Sequence, residues 1–143
     1  MKFVLDASVT MSWLLADAKP ADQRYAASVL DSLAETDIAA GVPVTWGLEI
    51  ANVVARAEAR GAVTEAQSEA FLELLAGIRI KPDSATFPRA LVETLSLARR
   101  YRLSSYDASY LELALRLGLP LASLDSDLLK AARKAGVKRF GRA

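Results

Sequence analysis

The sequence predicts an α/β fold, a three-layer α/β/α arrangement around a central, mostly parallel sheet of roughly four to five strands, and three observations carry that prediction. Short β-type apolar runs alternate with stretches of helical period along the whole chain. The runs are separated by helices rather than hairpin turns, so the strands should pair in parallel through right-handed crossovers, with helices on both faces. No linker, low-complexity tract or internal repeat interrupts the alternation, and 143 residues suit a single domain, residues 1–143. A chain of that size can bury roughly two-thirds of its unfolded surface.

Lys2 to Leu5 is a short apolar strand that Asp6 ends. Ala7 to Ala16 and Ala21 to Thr36 have helical spacing, and Pro20 stands near the start of the second, where a missing amide donor costs nothing. Pro43-Val44-Thr45 reads as the second strand. An amphipathic helix from Leu48 to Arg60 is closed by Gly61, and Thr64-Glu65 starts another that runs to Gly77. Ile78 to Pro82 is the third strand; Phe87 to Arg102 and Tyr106 to Leu117 are two more helices. Leu119 to Ser123 is the fourth strand, Ser126 to Ala135 the last helix, and Val137-Lys138-Arg139 a brief final strand.

Composition excludes several chemistries. The chain has no histidine and no cysteine, which removes Ser-His-Asp and Cys-His nucleophile systems and the ordinary nitrogen-and-sulfur zinc cage. What remains for hydrolysis is oxygen chemistry, in which clustered acids hold hard divalent cations. The hydrophobic share of 52% and mean hydropathy of +0.20 exceed those of a typical soluble domain, so part of the apolar surface awaits a partner or the core is generous. No apolar run approaches membrane-spanning length, and Met1-Lys2-Phe3-Val4-Leu5 meets Asp6 too early for a signal peptide; the expectation is a soluble, cytoplasmic protein with no membrane partner. The net charge of +1 hides an asymmetry: residues 1–71 carry 5 Lys/Arg against 10 Asp/Glu, residues 72–143 carry 13 against 7. Arg99, Arg100 and Arg102, with Lys130, Arg133, Lys134, Lys138, Arg139 and Arg142, make the second half the side for a polyanion; as a charge pattern alone they also read as solvated helix faces.

Topology says where chemistry can sit. Ligands of open α/β sheets bind beyond the carboxyl ends of the strands, where connections diverge to opposite faces. Asp6 ends the first strand, Asp125 follows the fourth, Asp107 opens a helix, and Glu49 lies early in the helix after the second strand, so all four should converge at that edge. Like charges that close together need a cation. Each acid also has a plainer reading. Asp6 and Asp125 could cap helices, and Ser104 with Asp107 is spaced as a capping-box variant. Glu49 sits among Trp46, Leu48, Ile50, Ala51 and Val53, where first-turn dipole complementarity explains only part of its presence. Asn52, one turn on, shares its face, and Ser8 and Ser123, each two residues from an acid, could orient a carboxylate or serve as ordinary caps.

Four strings bring these residues together: Val4-Leu5-Asp6-Ala7-Ser8; Pro43 through Asn52 around Glu49; Leu103 through Ala114 around Asp107; and Leu121 through Leu128 around Asp125. In order and in spacing they resemble PIN-domain ribonucleases, and more narrowly the VapC toxins of VapBC toxin–antitoxin modules. The resemblance implies an Mg²⁺- or Mn²⁺-dependent endoribonuclease that cuts structured RNA, tRNA or ribosomal RNA, by water attack that leaves 5′-phosphate and 3′-hydroxyl ends. It puts the catalytic and metal-binding quartet on Asp6, Glu49, Asp107 and Asp125, with Ser8, Asn52 and Ser123 as accessory positions; Ser123 stands where the family often has Thr. Asp127 reads as a further ligand or as a first-turn helix acid. A VapB-type antitoxin wrapped around the helices, a homodimer and a toxin–antitoxin hetero-oligomer are the implied assemblies. Arg99 and Arg133 are candidates for phosphate contact, and Trp13, Trp46 and Phe140 for base stacking, the two tryptophans reading rather as core or partner-interface residues. The competing class is a non-catalytic scaffold of the same fold that binds RNA or an antitoxin without cutting.

Overall fold

The computed structural model describes residues 1–141; Arg142, counted above among the C-terminal cations, lies outside the described residues. Strand β1 (Phe3–Leu5) is followed by helices α1 (Ala7–Ser12) and α2 (Pro20–Leu33), strand β2 (Ala40–Val42), helices α3 (Trp46–Ala59) and α4 (Glu65–Ala76), and strand β3 (Ile80–Pro82). Helix α5 (Thr86–Arg89), a π-helical turn (Ala90–Thr94) and α6 (Leu95–Tyr101) come next, then α7 (Ser105–Leu117), strand β4 (Leu121–Ala122) and α8 (Ser126–Ala135). Among the described residues the strands form one parallel sheet of order β3-β2-β1-β4, flanked by helices. The expected three-layer α/β/α class is the one observed.

The second strand departs from its expected place. It occupies Ala40–Val42, and Pro43, Val44 and Thr45 follow it. β2 lies inside the sheet between β1 and β3 and must supply bonding groups on both sides, which proline cannot do. Ala and Gly have weak strand propensity, so the run at Ala40-Gly41 is recognisable only by its burial. A side chain at position 41 would stand 2.7 Å from Met1 Sδ. The expected last strand is reduced to one bridge, Arg139 to Leu121.

The chain winds from β1 to β2 to β3, then crosses back to lay β4 on the other side of β1. That reversal puts the crevice between the ends of β1 and β4. α7 is the central helix: Ala108 through Ala114 are buried without interruption, so it is enclosed on every side. Phe3, Val4, Leu5, Tyr110, Leu111, Leu113 and Leu121 are the fully covered heart of the core. Among the described residues no helix is long and apolar enough to cross a membrane.

Candidate active site

Asp6 leaves the end of β1 with only 3% of its surface exposed, where an ionised carboxylate is costly. It opens α1 but makes no side-chain cap there. Its Oδ2 instead accepts hydrogen bonds from Ser8 Oγ at 2.6 Å and from Ser123 Oγ at 2.8 Å. Both hydroxyls also accept amide protons from the loop after β4: Leu124 N–H donates to Ser8 Oγ at 3.0 Å, and Asp125 N–H to Ser123 Oγ at 3.0 Å. The two serines thus lock the end of β1 to the start of α8 and set Asp6 relative to Asp125.

The other acids arrive from helix starts. Asp125 caps α8, accepting from Leu128 N–H at 3.0 Å, so its capping role is real and coexists with its place at the crevice. Asp107 stands in the first turn of α7; Ser104 is the cap, accepting the Asp107 amide at 3.1 Å. The reciprocal half of a capping box is not made, and Asp107 lines the cleft at this edge. Glu49, in the first turn of α3, accepts from the phenol of Tyr110 at 3.0 Å. Tyr110 is completely buried, and burial holds its proton firmly, so it acts as a fixed donor.

The acids sense one another. Burial, then Asp107 and Asp125, push Asp6 up to about 6 against the pull of Ser8 and Ser123. Burial, then Asp6 and Asp107, push Glu49 up to about 7 although Tyr110 opposes the rise. Asp107 is raised by burial and by Asp125 and Asp127. Four carboxylates spread over the sequence therefore share one electrostatic environment, deficient in positive charge. The donors are all oxygen, which suits a hard divalent cation. Among the described residues no group of three or more acids is arranged to hold a metal ion; Mg²⁺ keeps several waters and binds through one or two carboxylates.

A cleft of about 550 Å³ opens beside the acids, lined by Thr45, Leu48, Glu49, Asn52, Ser104, Tyr106 and Asp107. Asn52 faces it from the same side of α3 as Glu49, as its spacing implied. Three contributors escaped the sequence reading. Tyr110 holds Glu49, Thr45 presents a buried Oγ1 without a partner, and Tyr106 stands 57% exposed at the rim. Only Tyr106, adjacent to Asp107, carried a signal that sequence could have used.

Other candidates fall away from the crevice. Trp46 is buried, Trp13 Nε1 donates to the Ala26 carbonyl at 2.8 Å, and Phe140 stacks on Phe3 with ring centroids 3.9 Å apart, so all three are committed to packing. Arg139 lies over the Tyr25 ring at 3.8 Å and donates to the Ser123 carbonyl at 3.0 Å, a structural post. Arg99 is exposed on α6; Arg133 lines a separate hollow with Leu129 and Lys138, away from Asp127.

The PIN-domain family model matches residues 3–134. The chain belongs to the PIN-domain family. PIN domains are generally nucleases and use divalent metal ions, so the coarse reading is a hydrolase acting on nucleic acid. The crystal structure of PAE2754 from Pyrobaculum aerophilum is similar in fold, with a TM-score of 0.64 and 21% identity over 92% of this chain and 79% of that one. No curated protein is significantly similar in sequence.

Proposed function

We propose that this PIN domain is a metal-dependent endoribonuclease, the toxin of a type II toxin–antitoxin module, that cuts tRNA or ribosomal RNA at the crevice of Asp6, Glu49, Asp107 and Asp125. The observation that carries the reading is the burial of Asp6 and Glu49 among neighbouring acids: desolvation first, and the like charges second, raise Asp6 to about 6 and Glu49 to about 7. Perturbed carboxylates in a crevice mark functional sites more often than structural ones. Bound Mg²⁺ or Mn²⁺ supplies Lewis-acid activation of water and neutralises phosphate charge.

The chain's own residues do the rest. Asp6, Asp107 and Asp125 would hold the metal, with Ser8 and Ser123 keeping Asp6 oriented. Glu49, held by Tyr110, has a proton affinity near neutrality and serves as a ligand or as acceptor of a proton from the attacking water. Asn52, Thr45 and Tyr106 line the cleft in which RNA next to the cut is positioned. The partners proposed are a VapB-type antitoxin and a second copy of this chain. Exposed apolar side chains support an associating protein: Phe87 and Leu91 are each 84% exposed and Val92 65%.

The competing reading is a PIN scaffold of the same fold that binds RNA or an antitoxin without cleaving. Incubation of purified, antitoxin-free protein with total tRNA and ribosomal RNA, in Mg²⁺, Mn²⁺ or EDTA, separates the two. Discrete metal-dependent fragments with 5′-phosphate ends, missing from an Asp6→Asn control, are expected. Intact RNA in every lane from a folded protein overturns the nuclease in favour of the scaffold.

A further inference from the structure

The strongest concentration of unsatisfied positive charge lies outside the acidic cleft. A hollow of about 400 Å³ between the end of α6 and the outer face of α8 is lined by Arg100, Tyr101, Arg102, Asp127, Lys130 and Lys134. Lys130 and Lys134 are one helical turn apart on α8 and line the hollow together with Arg100 at the end of α6 and Arg102 just past it. Among the described residues none of these four cations has a carboxylate within 4.0 Å, whereas Arg89 and Arg116 are paired. Asp127 in the wall reduces the local charge but still leaves a cationic excess.

Arg102 supplies a second, independent observation. It occupies the left-handed position just past α6 (φ 54°), where the amide of the next residue, Leu103, closes the helix by donating to the Ala98 carbonyl at 3.1 Å. The equivalent positions after α7 and α8 are Gly118 and Gly136, residues that adopt this conformation without strain. A non-glycine residue there costs on the order of 1 kcal/mol or more. The chain keeps an arginine at the one helix end where its side chain reaches the hollow. Helix-dipole complementarity accounts for a cation near a carboxyl terminus, but not for a strained one converging with two lysines from another helix.

The hollow also adjoins the acids. Asp127, in its wall, follows Asp125 by two residues at the start of α8, and Arg102 lies two residues before Ser104, which caps the helix that presents Asp107. We infer that this hollow is a subsite for a backbone phosphate of single-stranded polynucleotide, beside the acidic crevice, that fixes the register of the strand. The inference rests on the nuclease reading and adds to it the residues that hold the substrate away from the cut. The charge asymmetry of the sequence thereby resolves to particular residues: Arg102, Arg100, Lys130 and Lys134 rather than Arg99 and Arg133.

The test measures binding of a labelled single-stranded oligoribonucleotide to Asp6→Asn protein over a range of salt, with wild-type cleavage followed in parallel. Arg102→Gly is the informative variant because it relieves the left-handed strain: thermal stability is kept or raised while affinity falls roughly tenfold. Lys130→Ala with Lys134→Ala should weaken binding as much and flatten the slope of log affinity against log salt by about 0.7 for each phosphate no longer neutralised. Arg79→Ala with Lys81→Ala, at the opposite edge strand, removes the same charge and should leave affinity and slope nearly unchanged. Wild-type cleavage combined with undiminished binding in Arg102→Gly and the double-lysine variant overturns the subsite and leaves the nuclease standing. Equal losses in the edge-strand control overturn it too, since net charge would then suffice. Tighter retention of an acidic peptide than of the oligonucleotide at these residues assigns the hollow to a protein partner instead, and a wild type that neither binds nor cuts polynucleotide removes the nuclease reading and the subsite with it.

Discussion

Asp6 concentrates the conflict between folding and function in one side chain. Its native carboxyl holds a proton to about pH 6, while the unfolded chain releases it near 3.8. Between those values the native state binds more protons, so the stability of the metal-free protein falls as pH rises and then levels off. Asp6 alone accounts for about 3 kcal/mol of that loss. Chemical denaturation of metal-free protein from pH 4 to 8 should show the decline, and Asp6→Asn should flatten it and be the more stable protein at pH 8 while losing cleavage. An Asp6→Asn protein less stable than wild type at pH 8 would contradict the buried-charge account. Glu49 offers a second handle. Removing the Tyr110 hydroxyl withdraws the bond that favours ionised Glu49, so in Tyr110→Phe the carboxyl should titrate above its wild-type midpoint near 7, and Mg²⁺ should lower it in both proteins. Carboxyl-resolved NMR reads these shifts directly.

At the scale of elements, α7 carries both the site and a demand for charge pairing. Glu112 is buried in its middle, an untenable place for a lone carboxylate. Arg116, one turn on, donates to it from Nε at 2.7 Å and also grips Asp83 through both terminal nitrogens, while Arg89 approaches Glu112 at 3.7 Å. Despite its burial, Asp83 is held below the usual carboxylate range by Arg116 and Thr86. Arg116→Ala should cost roughly 3–5 kcal/mol, because it strands Glu112 and Asp83, and denaturant unfolding will show it. Cleavage per folded molecule should survive, since the network lies away from the acids. The π-helical turn shows where periodicity is not enough. Phe87 to Arg102 reads as one helix, yet Ala90–Thr94 inserts a wider turn that leaves Leu91 and Val92 outside and Thr94 buried. Local spacing cannot register that adjustment, because Arg89 is drawn towards Glu112 on a helix some twenty residues later.

For the whole molecule, the sheet order decides what the site can be. Crossing β4 back beside β1 brings Asp125 to Asp6, and the serine pair then joins the two ends. Ser123→Ala removes the donor from Asp6 and the acceptor from the Asp125 amide together. It should reduce cleavage by more than tenfold with only a modest loss of stability, a split that parallel activity and unfolding curves will reveal. The surface of Phe87, Leu91 and Val92 belongs to this scale as well: Leu91→Glu should lower the mass seen by light scattering if this face joins two copies, without altering cleavage by the dissociated chain.

Much of this architecture was legible in the chain before any fold was known. Apolar runs, helical periods and capping residues place the last helix at Ser126–Ala135, as observed, and the second at Ala21–Thr36 against an observed Pro20–Leu33, because local backbone chemistry largely governs those boundaries. The absence of histidine and cysteine confined the chemistry to oxygen donors, and the spacing of Asp6, Glu49, Asp107 and Asp125 marked the acids before their meeting could be seen. Tertiary structure alone decided that Ala40-Gly41-Val42 is a central strand, that Tyr110 holds Glu49, and that Arg102 rather than Arg133 joins Lys130 and Lys134. Those facts depend on which distant segments touch, and a meeting of residues as far apart in the chain as Glu49 and Tyr110 leaves no period in the sequence. Propensity acts over a few residues; burial and charge pairing act between elements, and at this site they set the chemistry.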